Sequence, residues 1–303
     1  MNFQRKFIKD IRNHHFDMAI DFSRGDRGAL ISLISGAQKR IGYDPPGKRK
    51  RWRRRLFTDL ISSDNSRHVI DNHLDCLRLL DIEPDTRQMS FHWSRDDEET
   101  ITAILKKRGI GLHTPLFIIH PTSRWMFKAW TSEGYAAVAD YVQRNEGMTV
   151  IITSGPEHKE LVKVHEIMGY CTEEVIDLSG QLTLRQLGSL IQRSAFFFGI
   201  DSAPMHMAVA LGTPVMALFG PSGEHMWGPL GEEHSVITAT MACRPCGRDG
   251  CNGSKRSLCL EAIRHEDLCP LVARRLSEIK RGDGSHKDTR GPLTCFRHYT
   301  IHV

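Results

Sequence analysis

From Pro115 onward, short apolar runs alternate with stretches in which apolar residues recur every three or four positions. That alternation is the pattern of strands and helices laid around a parallel sheet. Strands are predicted over residues 116–119, 149–153, 175–178, 195–200 and 215–219. The first helix between them can be capped by Thr131 or Ser132, with Glu133 in its first turn and Tyr135, Val138, Ala139 and Val142 on its inner face. Pro156 suits the first turn of the second helix, and Gly169 its left-handed end. Thr183 can cap a third helix that turns Leu184, Leu187 and Leu190 inward, and Pro204 opens a fourth that stops at Gly212. The pattern predicts a doubly wound α/β domain over residues 113–281.

The same grammar is sparser toward the N-terminus. A strand is predicted over residues 17–22, and helices over 29–34, around 74–80 and over 98–107, which together define a first Rossmann-like domain over residues 1–112. The chain opens on Phe3, Phe7, Ile8 and Ile11, an amphipathic helix with no strand before it, so this domain is expected to be incomplete at its start. Residues 282–303 mix Gly, His and basic residues without apolar periodicity and are expected to form a disordered tail.

Composition narrows the class. A chain of 303 residues with 40% hydrophobic content can bury two cores. Its longest apolar runs fall far short of the ~20 residues needed to span a bilayer. The charged N-terminus lacks the apolar core of a secretory signal, so a cytoplasmic location is expected. The net charge of +5 is unevenly placed: residues 48–55 read KRKRWRRR. Lys48, Arg49, Arg53 and Arg54 are therefore candidates to meet a polyanion, either phosphorylated lipid head groups or nucleic acid, with a solvated basic loop as the alternative. Among eight cysteines, Cys243, Cys246, Cys251 and Cys259 follow a C-x2-C-x4-C-x7-C spacing. That spacing looks like a zinc knot but is irregular in its second half, so a loop of buried or surface thiols is expected and a bound zinc is the alternative.

In open parallel sheets, ligands bind beyond the carboxyl ends of the strands, where loops and helix N-termini present unpaired N–H groups. The segments there contain Thr122, Ser123 and Lys128 after the first predicted strand, Glu157 after the second, and Asp201, Ser202, Ala203 and His206 after the fourth. Two hydroxyls and a cation suit a diphosphate, and Glu157 can accept hydrogen bonds from ribose hydroxyls. Asp201 is also the expected helix cap, Thr122 and Ser123 can simply cap a turn, and His206 can be a half-buried histidine. No Walker loop or G-x-G-x-x-G is present, which argues against a nucleotide hydrolase or a dehydrogenase.

The stretch GIDSAPMHMAVALGTPVMALFGPSGEHMWGP closely resembles the C-terminal signature of the lipopolysaccharide core heptosyltransferases, which are glycosyltransferases of the GT-B type. HPTSRWMFKAW and SGPEHKE are similar to that family's two donor-side loops, and FDMAIDF and SGAQKRIGYD to parts of its first domain. The F-K-x-W form of the first loop looks most like the branch that adds the third core heptose. The resemblance implies an α/β fold of two Rossmann-like domains, the first incomplete. It also implies inverting transfer of heptose from ADP-L-glycero-D-manno-heptose to the lipopolysaccharide inner core, without a metal or other cofactor.

On this reading Thr122, Ser123 and Lys128 hold the diphosphate and Glu157 the ribose. Asp201 binds the heptose, while Ser202, Ala203 and His206 support the phosphates. Lys128 also neutralises the departing ADP. Lys48, Arg49, Arg53 and Arg54 face a phosphorylated lipid A core acceptor at the cytoplasmic face of the membrane, and no nucleic acid is involved. The family opens with a strand and a Gly-Asp loop whose Asp serves as base. That segment, about 70 residues, is expected to be absent here. Asp26 follows a strand that aligns later in the family's first domain, so no base is assigned. An inactive or weakly active nucleotide-sugar-binding remnant, or a relative using another nucleotide-sugar, are the alternatives.

Overall fold

The computed structural model describes residues 2–44, 48–282 and 296–302, with the side chains of residues 2–4 and 48–51 outside the description. Two compact units result, Met1–Arg87 and Gln88–Val303.

In the first unit, α1 (Asn2–Asn13) precedes β1 (Met18–Asp21), α2 (Asp26–Ile34), β2 (Lys39–Tyr43), a 3-10 turn at Lys48–Leu56, β3 (Asp59–Ile61) and α3 (Val69–Arg78). The three strands form a parallel sheet in the order β1-β2-β3. Its small core gathers Ile41, Tyr43, Ile61 and Cys76. β2 carries Lys39 and Arg40 at its start, which masks it from a hydrophobicity pattern. Arg40 nevertheless turns its guanidinium onto the carbonyls of Leu56 (2.7 Å) and Ala37 (2.7 Å), so the charge is satisfied beside the sheet.

The second unit begins before residue 113, where the sequence pattern placed it. α4 (Arg95–Lys107) was expected to close the first domain, yet its Ile101 and Leu105 are buried with Leu116, Ile118, Leu187, Leu190 and Phe197 of the second unit's core. Phe91, just upstream, lies so close to Gly188 that any Cβ there would collide with its ring. Amphipathic periodicity reveals that a helix has a buried face, but not which sheet that face covers.

After α4 come β4 (Leu116–His120), α5 (Ser132–Tyr141), β5 (Thr149–Ile152), α6 (His158–Tyr170), β6 (Ile176–Asp177), α7 (Leu184–Arg193), β7 (Phe196–Ile200) and α8 (Ala203–Ala210). They are followed by β8 (Val215–Leu218), α9 (Glu224–Trp227), β9 (Ser235–Ala239), α10 (Leu258–Glu261), α11 (His265–Lys280) and β10 (Arg297–Ile301). The seven strands are parallel, in the order β10-β9-β8-β7-β4-β5-β6. Helices cover both faces, and β4, β7 and β8 are buried along their whole length, as expected of strands enclosed on two sides.

Local chemistry sets several boundaries. Thr131 caps α5 by accepting from the Gly134 N–H (3.2 Å). Thr183 and Gln186 form a reciprocal capping box at α7. Thr183→Ala is expected to cost about 1 kcal/mol, read as a lower urea midpoint at unchanged m value. The helix predicted to open at Pro156 starts instead at His158 and runs through Gly169 to Tyr170.

The expected disordered tail over 282–303 requires correction where it is described. Residues 297–301 pair with β9 in parallel, Arg297 opposite Ser235 and Ile301 opposite Ala239. Arg297 donates to Glu278 (2.9 Å) and to the Glu232 carbonyl (3.0 Å), while the buried Arg275 grips Glu278 and the Glu233 carbonyl. Among the described residues no helix is long and apolar enough to cross a membrane.

Candidate functional site

The chain runs from β4 outward to β5 and β6, then returns to place β7 on the other side of β4. The loops after β4 and β7 therefore diverge and leave a crevice at the carboxyl edge, the topological switch point of a doubly wound sheet. β4 and β7 are aligned there, His120 opposite Gly199.

Lys128 and Asp201 meet at this point. Lys128 ends a 3-10 turn, Met126–Lys128, and Asp201 directly follows β7. The Lys128 Nζ donates to Asp201 Oδ2 at 2.5 Å, with the lysine side chain 21% exposed and the aspartate 9%. Asp201 was expected to cap α8. The N-cap residue is instead Ser202, which makes no side-chain cap bond, and its buried Oγ has no hydrogen-bond partner among the described residues. The aspartate is thus committed across the crevice rather than to its own helix. Ala203, exposed, opens α8, and His206 sits half-buried one turn further on.

The loop carrying Lys128 is held from several sides. Ser123 closes a tight turn by accepting from the Trp125 N–H (3.1 Å) and donating to its carbonyl (3.0 Å). Lys159 on α6 donates to the Arg124 carbonyl (2.6 Å), and Ser257 to the Phe127 carbonyl (2.6 Å). Trp130, fully buried, packs edge-on against Tyr135 and donates its indole N–H to the Ile263 carbonyl (2.9 Å). A lysine on a loop so restrained keeps its ammonium in place without a ligand.

Thr122 has a different position from the one its neighbours suggest. It is fully buried, and its hydroxyl donates to Glu160 Oε2 (2.7 Å). Glu160 also accepts from the Gly155 N–H (3.2 Å), so one buried carboxylate joins the loops after β4 and β5. Glu157 is exposed at the N-cap of α6, with no side-chain cap bond. Glu160 was not singled out from the sequence, although a Glu three residues after an N-cap is a capping-box position. Its inward turn depends on the buried threonine that it receives.

His120, at the end of β4, was likewise not singled out. It shares a hydrogen bond with Thr153 Oγ1 (2.9 Å), and burial pushes its pKa down to about 4, so it is neutral near pH 7. On the far side, the turn after β8 at Gly220 and Pro221 is anchored by Arg244. That side chain donates to the Gly220 carbonyl (2.8 Å) and to Glu224 (3.1 Å), a buried ion pair.

The cysteine series does not gather into a ligand set: among the described residues no group of three or more His, Cys, Asp or Glu could hold a metal ion. Cys243 and Cys246 are exposed, Cys251 is partly buried, and burial raises the pKa of the Cys259 thiol.

In the first unit the basic run divides. Lys48 and Arg49 have side chains outside the described residues. Arg53 is buried, 3% exposed, and donates to the Arg24 carbonyl (2.5 Å) while pairing with Asp26 (3.4 Å). Arg53 is therefore internal to this unit rather than an outward contact. Arg54, half exposed, pairs with Asp44 (3.3 Å).

The chain matches glycosyltransferase family 9 (heptosyltransferase) over residues 4–256. It is 30% identical over 223 residues to lipopolysaccharide heptosyltransferase 3 of Escherichia coli, a match covering 73% of this chain and 64% of that relative. It thus spans less than two thirds of that relative's length. Among solved structures, a glycosyl transferase family 9 protein from Veillonella parvula DSM 2008 superimposes with a TM-score of 0.74 at 20% identity, over 90% of this chain and 77% of that one. The E. coli ADP-heptose lps heptosyltransferase II does so with a TM-score of 0.71 at 20% identity, over 92% and 82%. These likenesses establish the fold, parallel α/β of the GT-B type. With the match extending through both units, this chain is a member of glycosyltransferase family 9, the heptosyltransferase family.

Proposed function

We propose that this chain is a glycosyltransferase that binds ADP-L-glycero-D-manno-heptose in the second unit and transfers the heptose, with inversion and without a metal, to the inner core of lipopolysaccharide. It would act from the cytoplasm at the inner membrane surface, on a phosphorylated lipid A core acceptor. Membership of family 9 and the names of its relatives supply the reaction class. The observation that carries the assignment to named residues is the Lys128–Asp201 pair at the switch point, 2.5 Å apart.

In the reaction an acceptor hydroxyl attacks the anomeric carbon and gives up its proton to solvent, the bond from that carbon to the diphosphate oxygen breaks, and ADP departs with the electron pair. Negative charge grows on the leaving oxygen, so a fixed cation beside it lowers the barrier. Lys128 supplies that cation and Asp201 accepts from heptose hydroxyls. Ser123, Ser202, Ala203 and the first turn of α8, with His206, receive the phosphates, and Glu157 receives the ribose. Thr122 contributes through Glu160, by holding two loops together. No base is assigned; Asp26 is engaged by Arg53.

Calorimetric titration with ADP, ADP-heptose, and UDP- and GDP-sugars tests the reading. Micromolar-range binding restricted to the ADP series is the expected result. A folded protein that binds none of them, or that prefers a UDP- or GDP-sugar, would overturn the donor assignment.

A further inference from the structure

The first unit carries a second site of its own, at the carboxyl end of its small sheet. The loop after β1 is tightly built: Asp21 accepts from the Ser23 N–H (2.8 Å), and Ser23 Oγ from the Gly25 N–H (3.2 Å). Gly28 lies so close to Asp21 and Ser23 that a Cβ would strike both side chains. Within that loop Arg24 has φ +55, a left-handed conformation that a bulky residue rarely adopts. Its carbonyl is gripped by the buried Arg53. The whole arrangement delivers the Arg24 guanidinium onto the Tyr43 ring, 4.2 Å from its centroid.

The charges around it are unevenly spent. Arg53 is matched by Asp26 and Arg54 by Asp44. Among the described residues, no carboxylate pairs with Arg24, and its Nη2 is buried with no hydrogen-bond partner. A guanidinium that lies on an aromatic ring, shares a hydrogen bond with the Tyr43 hydroxyl and is left with one buried, unused Nη2 is short of an anion. Behind it, the Tyr43 hydroxyl bonds His73 Nδ1 (2.8 Å), and His73 packs at a tilt against Phe22 with centroids 4.4 Å apart. Burial, aided by the Arg24 charge, lowers the His73 pKa, and burial raises that of Tyr43. Both are therefore neutral near pH 7. With the tyrosine proton given to Nδ1, the histidine keeps its proton on Nε2 as a further donor.

We propose that Arg24, backed by Tyr43 and His73, is a receptor for a phosphate-type oxyanion in the first unit, separate from the nucleotide-sugar site of the second. The fork geometry of arginine suits two oxygens of a phosphate monoester, and the exposed Phe22 ring beside it offers a face to the sugar that bears one. The proposal does not depend on the donor reading.

The test uses the full chain and follows the His73 ring by NMR while inorganic phosphate, mannose 6-phosphate or mannose is added, with ADP titrated separately. In the wild type, His73 is expected to titrate below its ordinary range and to move upward when either phosphate is present, mannose having no effect. Arg24→Gln is expected to weaken phosphate binding at least about tenfold and to leave ADP affinity unchanged; Arg24→Lys should restore part of it. Tighter binding of mannose 6-phosphate than of inorganic phosphate assigns the site to a phosphorylated sugar, and equal binding to the free ion. A His73 resonance indifferent to phosphate in the wild type, or phosphate binding undiminished in a folded Arg24→Gln protein, would overturn the proposal. Loss of ADP binding in the wild type would count against the donor reading alone.

Discussion

Lys128→Ala is expected to weaken both ADP and ADP-heptose, whose diphosphate it holds, and to lower kcat by about 100- to 1000-fold, the usual effect of removing a group that also meets the charge developing on the leaving group. Asp201→Ala is expected to part the two ligands. The Lys128 ammonium is held by the Asp201 carboxylate, and a diphosphate must compete for it. Removing the carboxylate frees the lysine, so ADP should bind as tightly as before or more tightly. ADP-heptose, which loses an acceptor for its sugar hydroxyls, should bind no better than ADP and turn over poorly. Titration of both variants with both ligands, alongside thermal melts, is the measurement. If Asp201→Ala weakened ADP and ADP-heptose equally, the aspartate would be a structural partner of Lys128 and not a sugar ligand.

The largest effect on stability is expected at Glu224. Its carboxylate is the counterion of Arg244, and both side chains are 7% exposed. Glu224→Ala leaves a buried guanidinium without its anion, and such a break typically costs about 3–5 kcal/mol. Glu224→Gln keeps a hydrogen-bond acceptor and should cost less. The double variant Glu224→Ala, Arg244→Met removes the stranded charge and should recover much of the loss, since neighbouring partners are not additive. Arg244 also holds the Gly220 carbonyl, so the single variant should bind donor more weakly at temperatures where it is still folded. A loss below about 1 kcal/mol in Glu224→Ala, measured by urea unfolding, would show that the pair is solvated and weak.

The sequence alone was sufficient for the features that repeat locally. β4, β5, β7 and β8 read as apolar runs, α5 and α7 as three- and four-residue periodicities, and caps as Thr131 and Thr183, because each of these is decided by residues within a few positions of one another. The carboxyl-edge rule then places Lys128 and Asp201 in one region, and the motif around Asp201 carries the family. Long-range pairing was decided only by the tertiary structure. Whether α4 belongs to the first unit or the second depends on which sheet Ile101 and Leu105 reach. Residues 297–301 become a strand because β9 offers an edge and Glu278 a counterion for Arg297, neither of them visible from the tail itself. Arg53 and Arg54 are adjacent and identical in sequence, yet one is buried against Arg24 and Asp26 and the other half exposed on Asp44. A charge's partner is set by distance through space, and neither composition nor periodicity encodes that distance.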